Sequence, residues 1–416
     1  MTEPFDLLVG PIGCLVPCDA PAPRTGPTLR DLPTVPDGAV GIRDGLLAYV
    51  GPYAEVAGAE AKDRLDASRQ TVLPGFVDPH THIPFLGDRS AELVMRLQGK
   101  TYMDIGRAGG GILSTMRAVR GASKDALLKA AQGTAALFLS HGVTTFEAKS
   151  GYGLSVESEI KQLEVLRELG ASGPQTVIPT CLGAHFVPPE FKEDPGAYVN
   201  LLCDQLLPEV ARRGLARFCD VFCEEGAFTL EQSRRILNRG KELGLLPRIH
   251  ADEIEDTGGA ALAAEVGAVS ADHLMAVSDS GIEAMAKAGV CATLLPGTSF
   301  YLRKGYAPAR KFVEAGCPVA LSTDCNPGSS YSTNLLHIAT LGVFGLGLMP
   351  EEALWAVTLN AAYALREHDR IGSLAVGKRA DLCVWDVPSP LHLFYPYGEN
   401  PLQAVFCGGR RVLGGV

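Results

Sequence analysis

The segment Pro74-Gly-Phe-Val-Asp-Pro-His80-Thr-His82 places two imidazoles two residues apart. Side chains on a strand alternate between its faces, so this spacing lets both rings offer a nitrogen to one cation. Alone, such a pair is as easily two half-exposed strand residues, because the spacing does not by itself specify a ligand. Two further residues shift the balance: His250, near the end of a later apolar run, and Asp324, at the end of the last one. Three imidazoles and a carboxylate leave room for water, which describes a hydrolytic metal site, not a closed structural one. Nitrogen and carboxylate donors of this kind suit one Zn2+ or Fe ion per subunit. Lys149 is followed at once by Ser150-Gly-Tyr-Gly, with no extra histidine pair beside it, and is expected to hydrogen-bond near the rim of the site. His141, His337, His368 and His392 are read as structural.

Ligands so far apart in sequence need a scaffold that gathers strand ends. Short apolar runs at 72–82, 143–149, 176–185, 219–224, 246–252, 268–273, 290–295 and 318–324 alternate with helical stretches such as 155–169, 230–243 and 259–266. Strand–helix alternation describes a parallel sheet, and eight strands is the barrel number. Most of the runs finish on or beside a chemically capable residue: His80 and His82, Lys149, His185, His250 with Glu253, His273, Asp324. Barrel sites are built at that C-terminal rim. The expected fold class is therefore α/β, a (β/α)8 TIM-like barrel over residues 71–370. Both termini read differently. Phe5-Asp-Leu-Leu-Val, an Asp44-Gly45 hairpin turn and Asp381-Leu-Cys-Val-Trp are short strands with tight turns. Residues 1–70 and 371–416 are expected to pair into an accessory β-sandwich.

Composition bounds the partners. The 416 residues suffice for a barrel of about 250 residues and an accessory domain. A formal net charge of −10 without a Lys/Arg cluster argues against nucleic acid and anionic membrane as partners. An acidic substrate must then be met by a local cation. No apolar run approaches the ~18 residues of a membrane span, and Glu3 and Asp6 are unlike the basic start of a signal peptide. Eleven cysteines with no CxxC pair fit reduced thiols, and the expected location is cytoplasmic.

Taken in order, His80-Thr-His82, His250, His273, Asp324 and the late segment Gly372-Ser-Leu-Ala-Val-Gly-Lys-Arg-Ala-Asp-Leu resemble the amidohydrolase superfamily. Within it the chain is similar to the imidazolonepropionases. The carrying stretches are Phe85-Leu-Gly-Asp-Arg89, Thr101-Tyr-Met-Asp-Ile with Gly109-Gly-Gly-Ile, Glu147-Ala-Lys-Ser-Gly-Tyr-Gly153, His250-Ala-Asp-Glu253 and Ser322-Thr-Asp-Cys-Asn-Pro-Gly-Ser329. The resemblance implies hydrolysis of 4-imidazolone-5-propanoate to N-formimidoyl-L-glutamate, a step of histidine degradation. It places the metal ligands on His80, His82, His250 and Asp324. Substrate contacts fall on Arg89, Tyr152, His185, Glu253 and Ser329, with product contacts also at Asn326 and Gly328. Enzymes of this kind are often dimers, so a homodimer is the assembly implied.

Opening such a ring adds water to a carbonyl carbon and expels a ring nitrogen. Glu253, three residues beyond His250, is suited to general base work. His273 is expected to steady the oxyanion, and Asp324 or His273 to pass the proton on. Arg89 answers the need for a local cation, since a guanidinium can grip a propanoate with two parallel hydrogen bonds. Its plain alternative is a surface salt bridge to Asp88 or Glu92, worth about 0–1 kcal/mol. Tyr152 between two glycines suits a rim loop, and Asn326-Pro-Gly328 a turn whose amide and backbone N–H could reach a ligand. Two rival readings remain. A mononuclear deaminase of a small nitrogen heterocycle would use the same ligands and glutamate without needing Arg89. A barrel kept only as a scaffold would have lost ligands.

Overall fold

In the computed structural model, residues 3–100, 104 and 109–414 are described. Of the Thr101-Tyr-Met-Asp-Ile motif only Asp104 falls among them.

The chain opens with four strands, β1 (Phe5–Leu15), β2 (Val35–Arg43), β3 (Leu46–Pro52) and β4 (Ala61–Pro74). β2 and β3 are joined by Asp44-Gly45 with φ of 51° and 76°, the left-handed pair that a tight hairpin requires. β1 runs antiparallel to β2 and parallel to β4. Three strands from the other end, β13 (Leu382–Trp385), β14 (Leu402–Cys407) and β15 (Arg410–Leu413), extend the same sheet from β4. The order is β15-β14-β13-β4-β1-β2-β3. The sandwich expected of the termini thus takes the form of one seven-stranded sheet that rolls onto itself. The start of β3 bonds back to the segment before β13, with Leu47 N–H donating to Lys378 O at 2.9 Å and Ala380 N–H to Gly45 O at 2.9 Å. The roll encloses Val9, Ile12, Val40, Ile42, Leu382, Val384 and Phe406.

β4 hands directly to the barrel through Gly75, where any Cβ would collide with the Thr144 side chain. The barrel strands are β5 (Phe76–Asp78), β6 (Val143–Lys149), β7 (Thr176–Ala184), β8 (Phe218–Cys223), β9 (Leu246–Ala251), β10 (Ser270–His273), β11 (Cys291–Leu294) and β12 (Val319–Leu321). They lie in chain order, each parallel to the next, and match the eight apolar runs read from the sequence. Helices follow where caps and periodicity place them. Val156–Ser172 starts at Ser155, whose hydroxyl accepts from Ser158 N–H, and Leu230–Glu242 starts at a Thr229/Gln232 capping box. Gly259–Val266 ends on Gly267 at φ 67°, a left-handed cap.

Two features of the barrel decide what it can do. The main apolar cluster draws on strand residues such as Phe146 and Val221 and on helix residues such as Leu166 and Leu237. Alternate strand positions instead carry Glu147, Lys149, Asp220, Arg248 and Asp272, all buried. The second feature is the closing seam between β12 and β5. Asp324 N–H donates to His80 O at 3.1 Å and His82 N–H to Cys325 O at 3.0 Å, so closing the barrel brings those histidines against that aspartate. Asp78 fastens the seam, accepting from the Thr323 N–H at 3.1 Å, the Thr323 hydroxyl at 2.6 Å and the Ser322 hydroxyl.

Candidate active site

Nε2 of His80 lies 3.2 Å from Nε2 of His82, which lies 3.4 Å from Nε2 of His250. Oδ1 of Asp324 is 3.5 Å from the first nitrogen and 3.3 Å from the second. The outer ring nitrogens of His80 and His250 show why these atoms face one another, while His82 Nδ1 is buried without a hydrogen-bond partner. His80 Nδ1 is 2.6 Å from Asp272 Oδ2 and His250 Nδ1 is 3.1 Å from Asp220 Oδ1. A carboxylate there accepts a hydrogen bond from Nδ1–H, which leaves the Nε2 lone pair facing inward. Asp324 Oδ2 accepts from the Thr298 hydroxyl at 2.5 Å, while Oδ1 is buried without a hydrogen-bond partner.

Converging lone pairs with no proton between them repel unless something positive lies among them. Protonation does not fill that role, because burial, with Lys149 and neighbouring imidazoles, holds His80 and His82 well below the usual histidine range. The charges wired to the rings point to a dication. Lys149 pairs with Glu147 at 2.8 Å and Asp220 at 2.9 Å, and Arg248 with Asp272 at 3.0 Å. With Asp324, these two cations face four carboxylates, a formal −2 that one divalent ion balances. The residues therefore fit a single Zn2+ or Fe. His80, His273 and Asp324 form a second group within 4.8 Å, sharing His80 with the group of His80, His82 and His250.

His273 and Asp324 hold left-handed backbone, φ 78° and 51°, with Leu274 at 61° beside them. Such conformations are costly for non-glycine residues and cluster where function fixes a side chain. Nε2 of His273 is 3.7 Å from Oε2 of Glu253, whose side chain keeps 13% of its exposure. Burial, then the nearby Asp324 and Glu224 carboxylates, pushes Glu253 up to about 8. Burial presses His273 down to about 3, against the opposing pull of Asp324. A protonatable carboxyl and a neutral imidazole thus sit together, the separation of acid and base that hydrolysis needs. Glu224 anchors the loop, its Oε2 accepting from the N–H groups of Glu253 at 3.1 Å and Ile254 at 2.9 Å.

The expected substrate residues reach the site in two groups. Tyr152 and His185 form a wall beside His82, with ring centroids 6.1 and 5.1 Å from its ring and 5.3 Å from each other. His185 Nδ1 is 2.9 Å from Gly151 O. Arg89 belongs to the second group. It makes a fork with Glu92, Nε to Oε1 at 2.8 Å and Nη2 to Oε2 at 2.9 Å. This is the Glu92 salt bridge considered from sequence, but both side chains are buried, so it is not a surface pair. Only the Nη1/Nη2 end of the guanidinium is left for a ligand. The Asn326 turn closes on itself. Its Oδ1 accepts from Gly328 and Ser329 N–H, each at 2.8 Å, and its Nδ2 donates to Asp324 O at 2.7 Å. The Asn326 amide and the Gly328 and Ser329 N–H groups are thus engaged within the turn, which ties Asn326 to Asp324.

Lys149, the last residue of β6, is fully buried and pairs with Glu147 and Asp220. Sequence reading passed over Asp220, Asp272, Arg248 and Thr298. The signal was present for three of them: a charged residue inside an apolar strand run is stable only with a partner. Among the described residues, His141, His337, His368 and His392 join neither ligand group.

The profile of the Amidohydrolase family matches residues 89–403. An imidazolonepropionase of Geobacillus kaustophilus (strain HTA426) is 50% identical over 398 residues, covering 94% of each chain. One from Bacillus velezensis is 43% identical over 414 residues, 99% of this chain and 98% of the relative. Among solved structures, an adenosine deaminase from Xanthomonas campestris with bound zinc superposes with a TM-score of 0.72 at 19% identity, covering 99% of this chain and 94% of that one. Guanine deaminase of E. coli gives 0.72 at 16% identity, covering 98% and 99%. At such identities the two structures speak for the fold alone.

Proposed function

The chain belongs to the amidohydrolase family and, within it, to the imidazolonepropionases, and from that premise we propose that it hydrolyses 4-imidazolone-5-propanoate to N-formimidoyl-L-glutamate. Kinship at about half of all positions over nearly the whole chain carries this reading. The convergence of His80, His82, His250 and Asp324 supplies the site for it.

His80, His82 and His250 through Nε2, and Asp324 through Oδ1, would hold one Zn2+ or Fe ion per subunit. When bound, such an ion supplies Lewis acidity and lowers the pKa of water from 15.7 to about 7. The protein's own groups handle the protons. A cation held beside Glu253 would favour its carboxylate form, which takes the proton of the attacking water and returns it to the ring nitrogen that leaves. His273, kept neutral by burial, donates a hydrogen bond to the oxygen that gains charge at the carbonyl. Asp324 or His273 relays onward the second proton of the water, which the new carboxyl group gives up. Thr298 leaves Asp324 a single oxygen for the ion. Arg89 receives the propanoate end-on, Tyr152 and His185 flank the ring, and the Ser329 hydroxyl borders the turn at Gly328.

Ring opening of freshly made 4-imidazolone-5-propanoate, followed spectrophotometrically with and without a chelator, tests the proposal. Metal-dependent loss of the ring is the expected result. Ammonia release from guanine or cytosine, with the imidazolone untouched, would establish the deaminase instead. Two coarser features complete the reading. All eleven cysteines are unpaired, which supports a reducing cytosolic setting. Among the described residues no helix is long and apolar enough to cross a membrane. A homodimer is the proposed assembly, and sedimentation equilibrium checks it.

A further inference from the structure

The charge that meets the substrate carboxylate is itself held in a built cradle. Glu92 lies in the first turn of the helix Ser90–Leu97 and is buried. Its Oε1 accepts from Arg89 Nε at 2.8 Å and Gly111 N–H at 2.8 Å; its Oε2 accepts from Arg89 Nη2 at 2.9 Å and Arg96 Nη2 at 3.3 Å. Four donors fill the sites a carboxylate offers, so turning Glu92 away would break all four bonds. Arg96 also donates, through Nη1, to Gly328 O, which draws the turn after Asp324 onto the Arg89 guanidinium. The approach is so close that a Cβ on residue 328 would stand 2.7 Å from Arg89 Nη1 and 2.9 Å from Cζ. One edge of the guanidinium is thus closed by Glu92 and its plane is approached by Gly328.

We propose that Glu92 is a positioning and specificity-determining residue: it fixes Arg89 so that only the Nη1/Nη2 end is presented, which makes the site selective for rings bearing a carboxylate. This rests on the functional reading above. An i,i+3 Arg–Glu pair on an exposed helix contributes little. Here the pair is buried, the carboxylate is shared with a backbone N–H from outside the helix, and the same helix grips the turn that follows a metal ligand. Despite its burial, the Glu92 carboxyl is held below the ordinary value by Arg89 and Gly111. A flexible arginine pinned in this way binds its anion without first losing rotamer freedom.

The test compares Glu92→Gln with the wild type on 4-imidazolone-5-propanoate and on its neutral propanamide. A loss of uniform binding raises KM and spares kcat. For the propanoate we expect KM to rise about tenfold or more, with kcat changing less than about threefold. For the propanamide, kcat/KM should change less than about threefold, because Arg89 has no charge to meet there. In an Arg89→Met background, Glu92→Gln should add no further loss. Equal losses on both substrates, additive losses in the double variant, or an unchanged KM would each overturn the proposal. Should Glu92→Gln fail to fold, Glu92→Asp carries the same comparison with an intermediate rise in KM. A wild type inactive on the propanoate refutes the functional reading and this inference with it; an active wild type with an indifferent Glu92 refutes the inference alone.

Discussion

Asp220 holds its position by answering two groups at once, the Nδ1 of His250 and the ammonium of Lys149. Burial works to raise its pKa, but His250 and Lys149 outweigh that and hold it far below the carboxylate range. Asp220→Asn removes that charge, frees the imidazole tautomer and leaves Lys149 less compensated. Outer partners of this kind affect metal affinity by about 10–100-fold when removed, so zinc titration of the stripped variant should show a loss of that size. Glu253 offers a test by pH. Its folded value of about 8 stands above the ordinary 4.5, so between those values the folded chain binds the extra proton. Stability from this group is therefore full at low pH and is lost as pH rises towards 8. His80, His82 and His273 act oppositely: their folded values are depressed, so their effect on the pH slope ends once the unfolded imidazoles are neutral, above about 7. Metal-free wild type should accordingly lose stability from pH 7 to 8, and Glu253→Gln should flatten that slope in denaturant melts. An unaltered slope in the variant would remove the basis for treating Glu253 as a raised acid.

At the scale of elements, the strand ends were legible and the interior was not. Apolar runs between turns gave all eight barrel strands, and the position of His80, His250, His273 and Asp324 at or beyond the strand ends gave the rim. Asp220, Asp272 and Arg248 escaped because their chemistry is interior, where strand alternation shows a face but not a partner. The Asn326 turn was legible as a turn, but its internal bonds were not, because bonds from a side chain to its own turn leave no periodic trace in sequence. Gly75 marks where the two sheets are handed off, and Gly75→Ala would press on Thr144. Overpacking of this kind costs about 1–3 kcal/mol. A lower midpoint of urea unfolding, with metal affinity little changed, is the expected outcome.

For the molecule as a whole, the two chain ends form one sheet, and that sheet feeds the first ligand strand. β4 carries the chain from the rolled sheet, through Gly75, to the histidine pair within a few residues. The accessory sheet was legible as short strands and tight turns, though its rolled, single-sheet form depends on long-range pairing that no local signal encodes. The same convergence that holds the ion should stabilise the entire fold. At about 100 times its dissociation constant, a ligand that binds only the native state adds about 2.7 kcal/mol. Calorimetry should then show a higher melting temperature for loaded than for stripped protein, with the difference vanishing in His250→Ala.

The most direct test adds Zn2+ or Fe2+ stepwise to chelator-stripped protein while following ring opening of 4-imidazolone-5-propanoate. Activity should climb linearly and break at one ion per chain for the wild type, with no recovery for Asp324→Ala. Full turnover in the stripped protein, or a break at two ions, would contradict the single four-ligand site on which the account stands.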